Sequence, residues 1–397
     1  MSARATAPGG AEDRPPIPMA RLQQQYTAIK DEIDEALARV VARAVFTADQ
    51  EVDAFEREFA VFAGARWGIA VGSGSEAIQF ALEALRIRDG DEVISVPNVD
   101  VSASSAITHT GARVVWVDID PRTYNLDPGG LEAKITPRTR AIVAVHMYGN
   151  PADMDRIWEI ARRHGIPVLE DGCLAVGARC NGKPVGSLGL LGSFSFSPFK
   201  ILSAYGQGGM ITTSDDDLAR RARMLSRHGF LPETLRAIHR QTPGAKFDYE
   251  IEGHNGLLDE IQAAILRVKM RHLPDWLARR RRNASIYLAR LAELEPEHLL
   301  LPVATPGSEP VYRVFVLRAQ RRDELMRHLS KNRISAGTHY VPPLHFQTAY
   351  QHLRLGRGSF PQTELVADEL ICLPTIPEIS VDEIEHICVT IRGFYRG

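Results

Sequence analysis

Residues 66–85 read RWGIAVGSGSEAIQFALEAL. An apolar run leads into the glycine-rich turn GSGSEA, Gly72 to Ala77, and an apolar-patterned segment follows, which spells strand, turn, helix. Working outward, the alternation recurs. DEVISV (91–96), ARVVWVDI (112–119), AIVAVHMYG (141–149) and IPVLED (166–171) read as strands. Helices are predicted within 102–110, over 128–135 behind the cap Asp127, and over 154–163 behind Asp153. Short β-rich runs strung between helices predict an α/β fold with a mostly parallel sheet.

The flanks carry other textures. Residues 22–41 place Ile29, Ile33, Leu37 and Val41 at helical spacing, and a second helix is expected near 52–62. Downstream, SFSFS (193–197) and GGMITT (208–213) read as neighbouring strands of the same sheet, followed by the helix DDDLARRARML behind Ser214. Two long helices are predicted over 258–270 and 274–294, then a strand near 311–317 and a helix near 323–331. The last helix, 381–394, opens on the capping-box pair Ser380 and Glu383. The expected organisation is a tail over 1–16, a large domain over 17–270 and a small C-terminal lobe over 271–397.

Composition narrows the function classes. The chain has 397 residues, enough for two cores, with 44% hydrophobic and 24% charged residues. A formal net charge of -2 gives no reason to expect a nucleic-acid or acidic-membrane partner. The run Arg279 to Arg282 reads as a solvated helix face. Cys173, Cys180, Cys372 and Cys388 form no CxxC pair, so neither a zinc site nor a disulfide framework is expected, and no metal. No window approaches the ~20 apolar residues of a membrane span. Residues 1–16 lack the apolar stretch of a signal peptide, so a cytoplasmic protein is expected.

Three features carry chemistry. The turn at Gly72–Ala77 presents N–H groups at a helix start, a setting that binds phosphate, although it is neither a dinucleotide fingerprint nor a P-loop. Glu170 and Asp171 end an apolar strand, where open α/β sheets place ligands. Lys200 follows the apolar run SFSFSPF, with Ser195 five residues before it, in a chain of seven lysines and 40 arginines. Partial burial makes a lysine amine a nucleophile for a carbonyl. An anion cradle, a carboxylate and an amine together suit pyridoxal 5'-phosphate, which needs one for its phosphate, one for its ring nitrogen and one for its aldehyde.

On these residues, and on RTYNLDP, VHMYGNPADMDRI, YGQGGMITT, LDEIQAAILRVKMRHLPDW and THYVPPLHFQTAY, the chain resembles the DegT/DnrJ/EryC1/StrS sugar aminotransferases from about Ile17 onward. The resemblance implies the aspartate-aminotransferase type I fold, with a small α+β lobe. It implies Lys200 as the Schiff-base lysine, Asp171 as partner of the ring nitrogen, and phosphate contacts from the Gly74–Ser75 backbone and Ser195. It implies that Asn255 reaches the phosphate of a neighbouring subunit, hence a homodimer with shared sites. His339, Tyr340 and His345 fall in a stretch that lies near the sugar pocket in the family, or that packs at the lobe interface.

The departures cluster near the cofactor. Asp100 stands where a threonine is usual, Val101 where an aromatic stacks on the ring, and Leu174 where Gln or His holds the cofactor's 3'-oxygen. Leu257 replaces an arginine, Gln207 an acid, and Asp49-Gln50 a Gly-Pro. Asp100 beside the ring is an acid or base for altered chemistry, or a turn residue facing away. The leading expectation is amination of a keto sugar, often nucleotide-linked in this family, or of a keto-cyclitol, with glutamate or glutamine as donor. The alternatives are an elimination or oxidative step on a related sugar, and a non-catalytic regulator that keeps the cofactor.

Overall fold

The structure is a computed structural model that describes residues 15–230 and 247–396. The expected tail over 1–16 therefore falls almost wholly outside the described residues. The chain opens with three helices, α1 (Leu22–Ala28), α2 (Lys30–Arg43) and α3 (Gln50–Phe62). The single helix predicted over 22–41 is thus two. It breaks at Ile29 (φ -127°, ψ 22°), whose side chain is buried against α2's apolar face instead of continuing the first helix's spiral.

The quoted stretch folds as read: β1 (Trp67–Val71), a turn, then α4 (Gly74–Ala84). Next come β2 (Glu92–Ser95), α5 (Val101–His109), β3 (Arg113–Trp116), the short α6 (Pro128–Leu131), β4 (Thr139–Val145), α7 (Met154–Arg163) and β5 (Val168–Asp171). A two-residue ribbon, β6 (Arg179–Cys180) and β7 (Lys183–Pro184), precedes β8 (Leu191–Ser195), β9 (Gly209–Thr213) and α8 (Asp216–Leu225). The seven-stranded sheet runs β1-β9-β8-β5-β4-β2-β3. Strands β8, β5, β4, β2 and β3 are parallel, and β9 is antiparallel to both β8 and β1. The α/β expectation and the adjacency of the SFSFS and GGMITT runs hold. Strands β5 and β8 are buried along their whole length, although β5 ends in Glu170 and Asp171 and β8 carries Ser193 and Ser195.

Several boundaries move. The cap of α8 is Asp215, whose side chain accepts the Leu218 N–H, and not Ser214. The helix predicted over 128–135 stops at Leu131 and tightens into a 3₁₀ turn, Glu132–Lys134. The two helices predicted around Pro274 are one, Glu260–Leu291. Pro274 removes one N–H from the helical ladder, but Leu273, Trp276 and Leu277 beside it are buried, and that packing holds the helix through the proline. The strand predicted near 311–317 begins only at Phe315, because Val311 and Arg313 donate their N–H groups to Gly149 and Tyr148 instead of to a sheet neighbour.

A second three-stranded sheet, β10 (Leu299–Leu300), β12 (Phe315–Ala319) and β13 (Leu370–Leu373), lies with its own apolar cluster, which includes Tyr287, Phe315, Ile371, Ile384 and Ile391. The remaining strand, β11 (Ser308–Glu309), pairs with β6. Ile17 packs into this second cluster and bridges to Ile334, so the start of the described chain is tied to the C-terminal part. The last helix, Val381–Arg396, begins with the predicted capping box: Ser380 N–H donates to Glu383 and Glu383 N–H to Ser380 Oγ.

Candidate active site

Parallel strands β4, β5 and β8 all end at one edge of the sheet, and the N-termini of α4 and α5 meet them there. Between them is a cavity of about 280 Å³ lined by Ser73, Gly74, Ser75, Asp100, Asp171, Cys173, Leu174, Ser195, Lys200, Gln207 and Tyr340, among others. It lies where an open α/β sheet is expected to bind its ligand.

The cradle is built by close backbone approach. Ser73 caps α4, its side chain accepting the Glu76 N–H at 3.2 Å. The N–H groups of the helix's first turn lack partners within the helix and carry its positive dipole end. Gly74 lies so near β8 that an added Cβ would be 2.5 Å from the Ser195 Cβ. Gly209 is held against Ser73 in the same way, with a Cβ only 2.2 Å from the Ser73 carbonyl oxygen. Any side chain at either position would push α4 off the sheet and open the cradle.

The two carboxylates at the end of β5 part company because neighbouring residues of a strand face opposite sides. Glu170 turns away. It accepts N–H groups from Gly186, Leu188 and Gly189 and meets His146 Nε2 at 3.0 Å. His146 Nδ1 accepts the Ala152 N–H, so Nε2 carries the proton and donates to Glu170. Glu170 is therefore scaffolding. Asp171 faces the cavity, only 4% exposed, with its Oδ1 accepting the Cys173 N–H at 3.0 Å. Among the described residues it has no ion-pair partner. A buried carboxylate without a cation is costly, and a protonated ring nitrogen would supply one.

Lys200 follows β8 in a turn closed by its own N–H to the Ser197 carbonyl. It lines the cavity together with Ser195 from the strand end. Burial and the neighbouring Asp171 push the Cys173 thiol well above its ordinary range, so it stays protonated. Burial, then Arg313 and Lys200, lower the pKa of His339, which is neutral at neutral pH. Tyr340 lines the cavity and its phenol is pushed up by burial. His345 is elsewhere: it is buried against Phe346 and Phe360 and bonded to Glu364, a packing role beside the larger apolar core.

Asp100 does not face away. It caps α5, accepting the Ser102 N–H at 2.9 Å, and also lines the cavity. Val101 is 49% exposed and is not part of this wall, which Val99, Asp100, Ser102 and Ala103 form instead. Leu174 and Gln207 do line it. Asn255 is exposed and lies outside this chain's own cavity. Ser102, Cys173 and Ser197 are wall residues that no motif singled out. Their position two or three residues from Asp100, Asp171 and Lys200 was the available signal. The arginine run is not a solvated face throughout, because Arg280 is buried and Arg281 donates to the Pro310 and Gly177 carbonyls.

The fold and this cavity define an aminotransferase, and the comparisons agree: the model of the DegT/DnrJ/EryC1/StrS aminotransferase family matches residues 27–392, and the chain belongs to that family. It is 39% identical over 380 residues to a pleiotropic regulatory protein of Geobacillus stearothermophilus, covering 96% of this chain and 99% of that one. It is 38% identical over 380 residues to the dTDP-3-amino-3,4,6-trideoxy-alpha-D-glucose transaminase of Streptomyces venezuelae, covering 96% of each. Among solved structures it is similar to S. venezuelae DesV in complex with a ketimine intermediate, with a TM-score of 0.91, 37% identity, and 97% and 100% of the two chains covered. Among the described residues no helix is long and apolar enough to cross a membrane.

Proposed function

We propose that the chain uses pyridoxal 5'-phosphate to move an amino group from glutamate or glutamine onto the carbonyl carbon of a nucleotide-linked keto sugar. The observation that carries this reading is that a buried Asp171 with no ion-pair partner among the described residues lines one cavity together with Lys200, Gly74, Ser75 and Ser195. The sugar comes from the relatives, whose names include transaminases of dTDP-linked sugars.

Each residue present fits a part of the cofactor. Asp171 would hold the proton on the ring nitrogen. The first-turn N–H groups of α4 and the Ser195 hydroxyl would hold the phosphate. When bound, the cofactor supplies an aldehyde for an amine and a ring that draws electrons from the adjoining carbon. Lys200 Nζ would hold the cofactor's aldehyde carbon and, when free, would move the proton at the substrate carbon. Leu174 and Tyr340 wall the site, and an apolar wall strengthens the electrostatics inside it. Asp100 would act as an acid or base beside these groups, which keeps open a different reaction on the same class of sugar. Asn255, exposed and away from its own cavity, would complete the site of a second subunit in a homodimer.

Borohydride reduction of the cofactor-loaded protein tests this reading. It should fix a pyridoxyl group on the peptide containing Lys200, and prior incubation with glutamate should prevent the label by freeing the lysine. A label on another lysine, or one that no amino donor prevents, contradicts the reading.

A further inference from the structure

A second cavity, of about 410 Å³, lies on the other side of Lys200. Its wall draws on three parts of the chain: Arg21 and Gln25 from the N-terminal segment, Phe199, Lys200 and Ser203 from the β8–β9 connection, and Arg280, Arg313, His339 and Glu378 from the C-terminal part. Lys200 lines both spaces, and the consecutive residues His339 and Tyr340 line one each.

The charge on this wall is unbalanced. Arg21 is satisfied by Glu383 and the Glu378 carbonyl. Arg280 and Arg313 have no ion-pair partner among the described residues, and they donate to backbone carbonyls, Arg280 to those of Tyr312 and Arg313, and Arg313 to that of Phe199. Arg280 is only 7% exposed. Burial and the nearby Arg313 bring its pKa down to about 10, a sign that the two guanidinium groups oppose each other. The Nε atoms of Arg280 and Arg313 and the Nδ1 of His339 are buried without a hydrogen-bond partner. Such groups are costly unless something else satisfies them. Glu378 is the one carboxylate on the wall, against Arg21, Lys200, Arg280 and Arg313.

We infer that this second cavity is the carboxylate subsite for the amino donor, with Arg313 as its principal ligand and Arg280 behind it. The inference rests on the aminotransferase reading and adds residues to it. An amino acid presents its amine to the atom that Lys200 holds, and its carboxylate is attached to the carbon beside that amine. The cofactor cavity repels a carboxylate, because Asp100 and Asp171 are already there. The arginine-lined cavity attracts it, through a planar fork that matches a carboxylate's two oxygens. The diphosphate of a nucleotide-linked sugar is a poorer occupant. A sugar ring separates it from the reacting carbonyl, whereas this cavity begins at Lys200.

Calorimetric titration of the cofactor-loaded protein tests the assignment. Glutarate, which has the carboxylates of the donor but no amine to react, should bind the wild type. Arg313→Gln should weaken it about 10- to 100-fold, the scale of one hydrogen bond to a charged group, and Arg313→Lys should recover part of the loss. Inorganic pyrophosphate, the probe for a diphosphate, should bind both Arg313→Gln and wild type alike. Three results overturn the inference: no glutarate binding to wild type, glutarate binding unchanged by Arg313→Gln, or glutarate and pyrophosphate weakened equally. The last would mark Arg313 as a positioning residue that merely anchors the Phe199–Lys200 loop. Because glutarate binding needs no turnover, a protein that binds it through Arg313 yet transfers no amino group would sink the functional reading and leave a carboxylate site at Arg313 that serves no amino donor.

Discussion

At the scale of single residues, the members of the candidate site were legible where a side chain's type and place in the chain mark it. Asp171 at a strand end, Lys200 after an apolar run and Ser195 between them all line one cavity. What the sequence does not reveal is direction. Glu170 and Asp171 are adjacent and chemically alike, and only the alternation of the strand sends one to the scaffold and the other to the cavity. Asp100 shows the same limit, since a capping residue and a cavity residue look identical in sequence and here it is both. That double role makes Asp100→Asn a clean test, because asparagine caps a helix about as well as aspartate. If Asp100 exchanges a proton, Asp100→Asn slows turnover ~10²-fold or more while the cofactor's absorbance and the melting temperature hold. A change below about threefold, measured with the true sugar, would rule the acid-base role out, since it falls far short of that ~10²-fold scale.

At the scale of elements, helix and strand types were legible from periodicity, and their ends were not. The long helix Glu260–Leu291 passes straight through Pro274, a residue that reads as a stop in any local window, because packing on both sides outweighs one lost hydrogen bond. The same helix carries Lys269, fully buried, with Nζ 3.1 Å from Ser203 Oγ and 4.3 Å from the centre of the Tyr205 ring. Burial pushes its ammonium down to about 7. Between that value and the ordinary lysine range the unfolded chain holds a proton that the folded chain lacks, so stability rises with pH there. The slope is up to about 1.4 kcal/mol per pH unit. Below about pH 7 both states are charged and the full penalty applies. Lys269→Met removes the penalty, so its melting temperature relative to wild type should be higher at about pH 6.5 than at about pH 9.5. A difference that is flat, or that grows toward alkaline pH, contradicts a buried amine with a lowered pKa.

At the scale of the whole molecule, the α/β class followed from the alternation around residues 66–85, and the order of the sheet did not. The pairing of β9 with β8 was expected, but its pairing with β1, far away in sequence, is encoded by no local pattern. The second cavity was also hidden, because Arg21, Arg280 and Arg313, which join Lys200 in its wall, are scattered over nearly 300 residues and no local pattern brings them together. The proposed sharing of sites through Asn255 is tested at this scale. Sedimentation at micromolar concentration should find the cofactor-loaded protein as a dimer, and a fully loaded, active monomer would remove the basis for a shared site. The central claim is that this cavity transfers nitrogen from an amino acid to a sugar. The most direct measurement is to incubate the cofactor-loaded protein with glutamate carrying a heavy-nitrogen amine and a panel of dTDP- and UDP-linked keto sugars, and to weigh the products. The account predicts heavy nitrogen in an amino sugar, one equivalent of 2-oxoglutarate for each, and no product from Lys200→Ala. A sugar product that lacks the label, or a labelled product formed equally by Lys200→Ala, would contradict it.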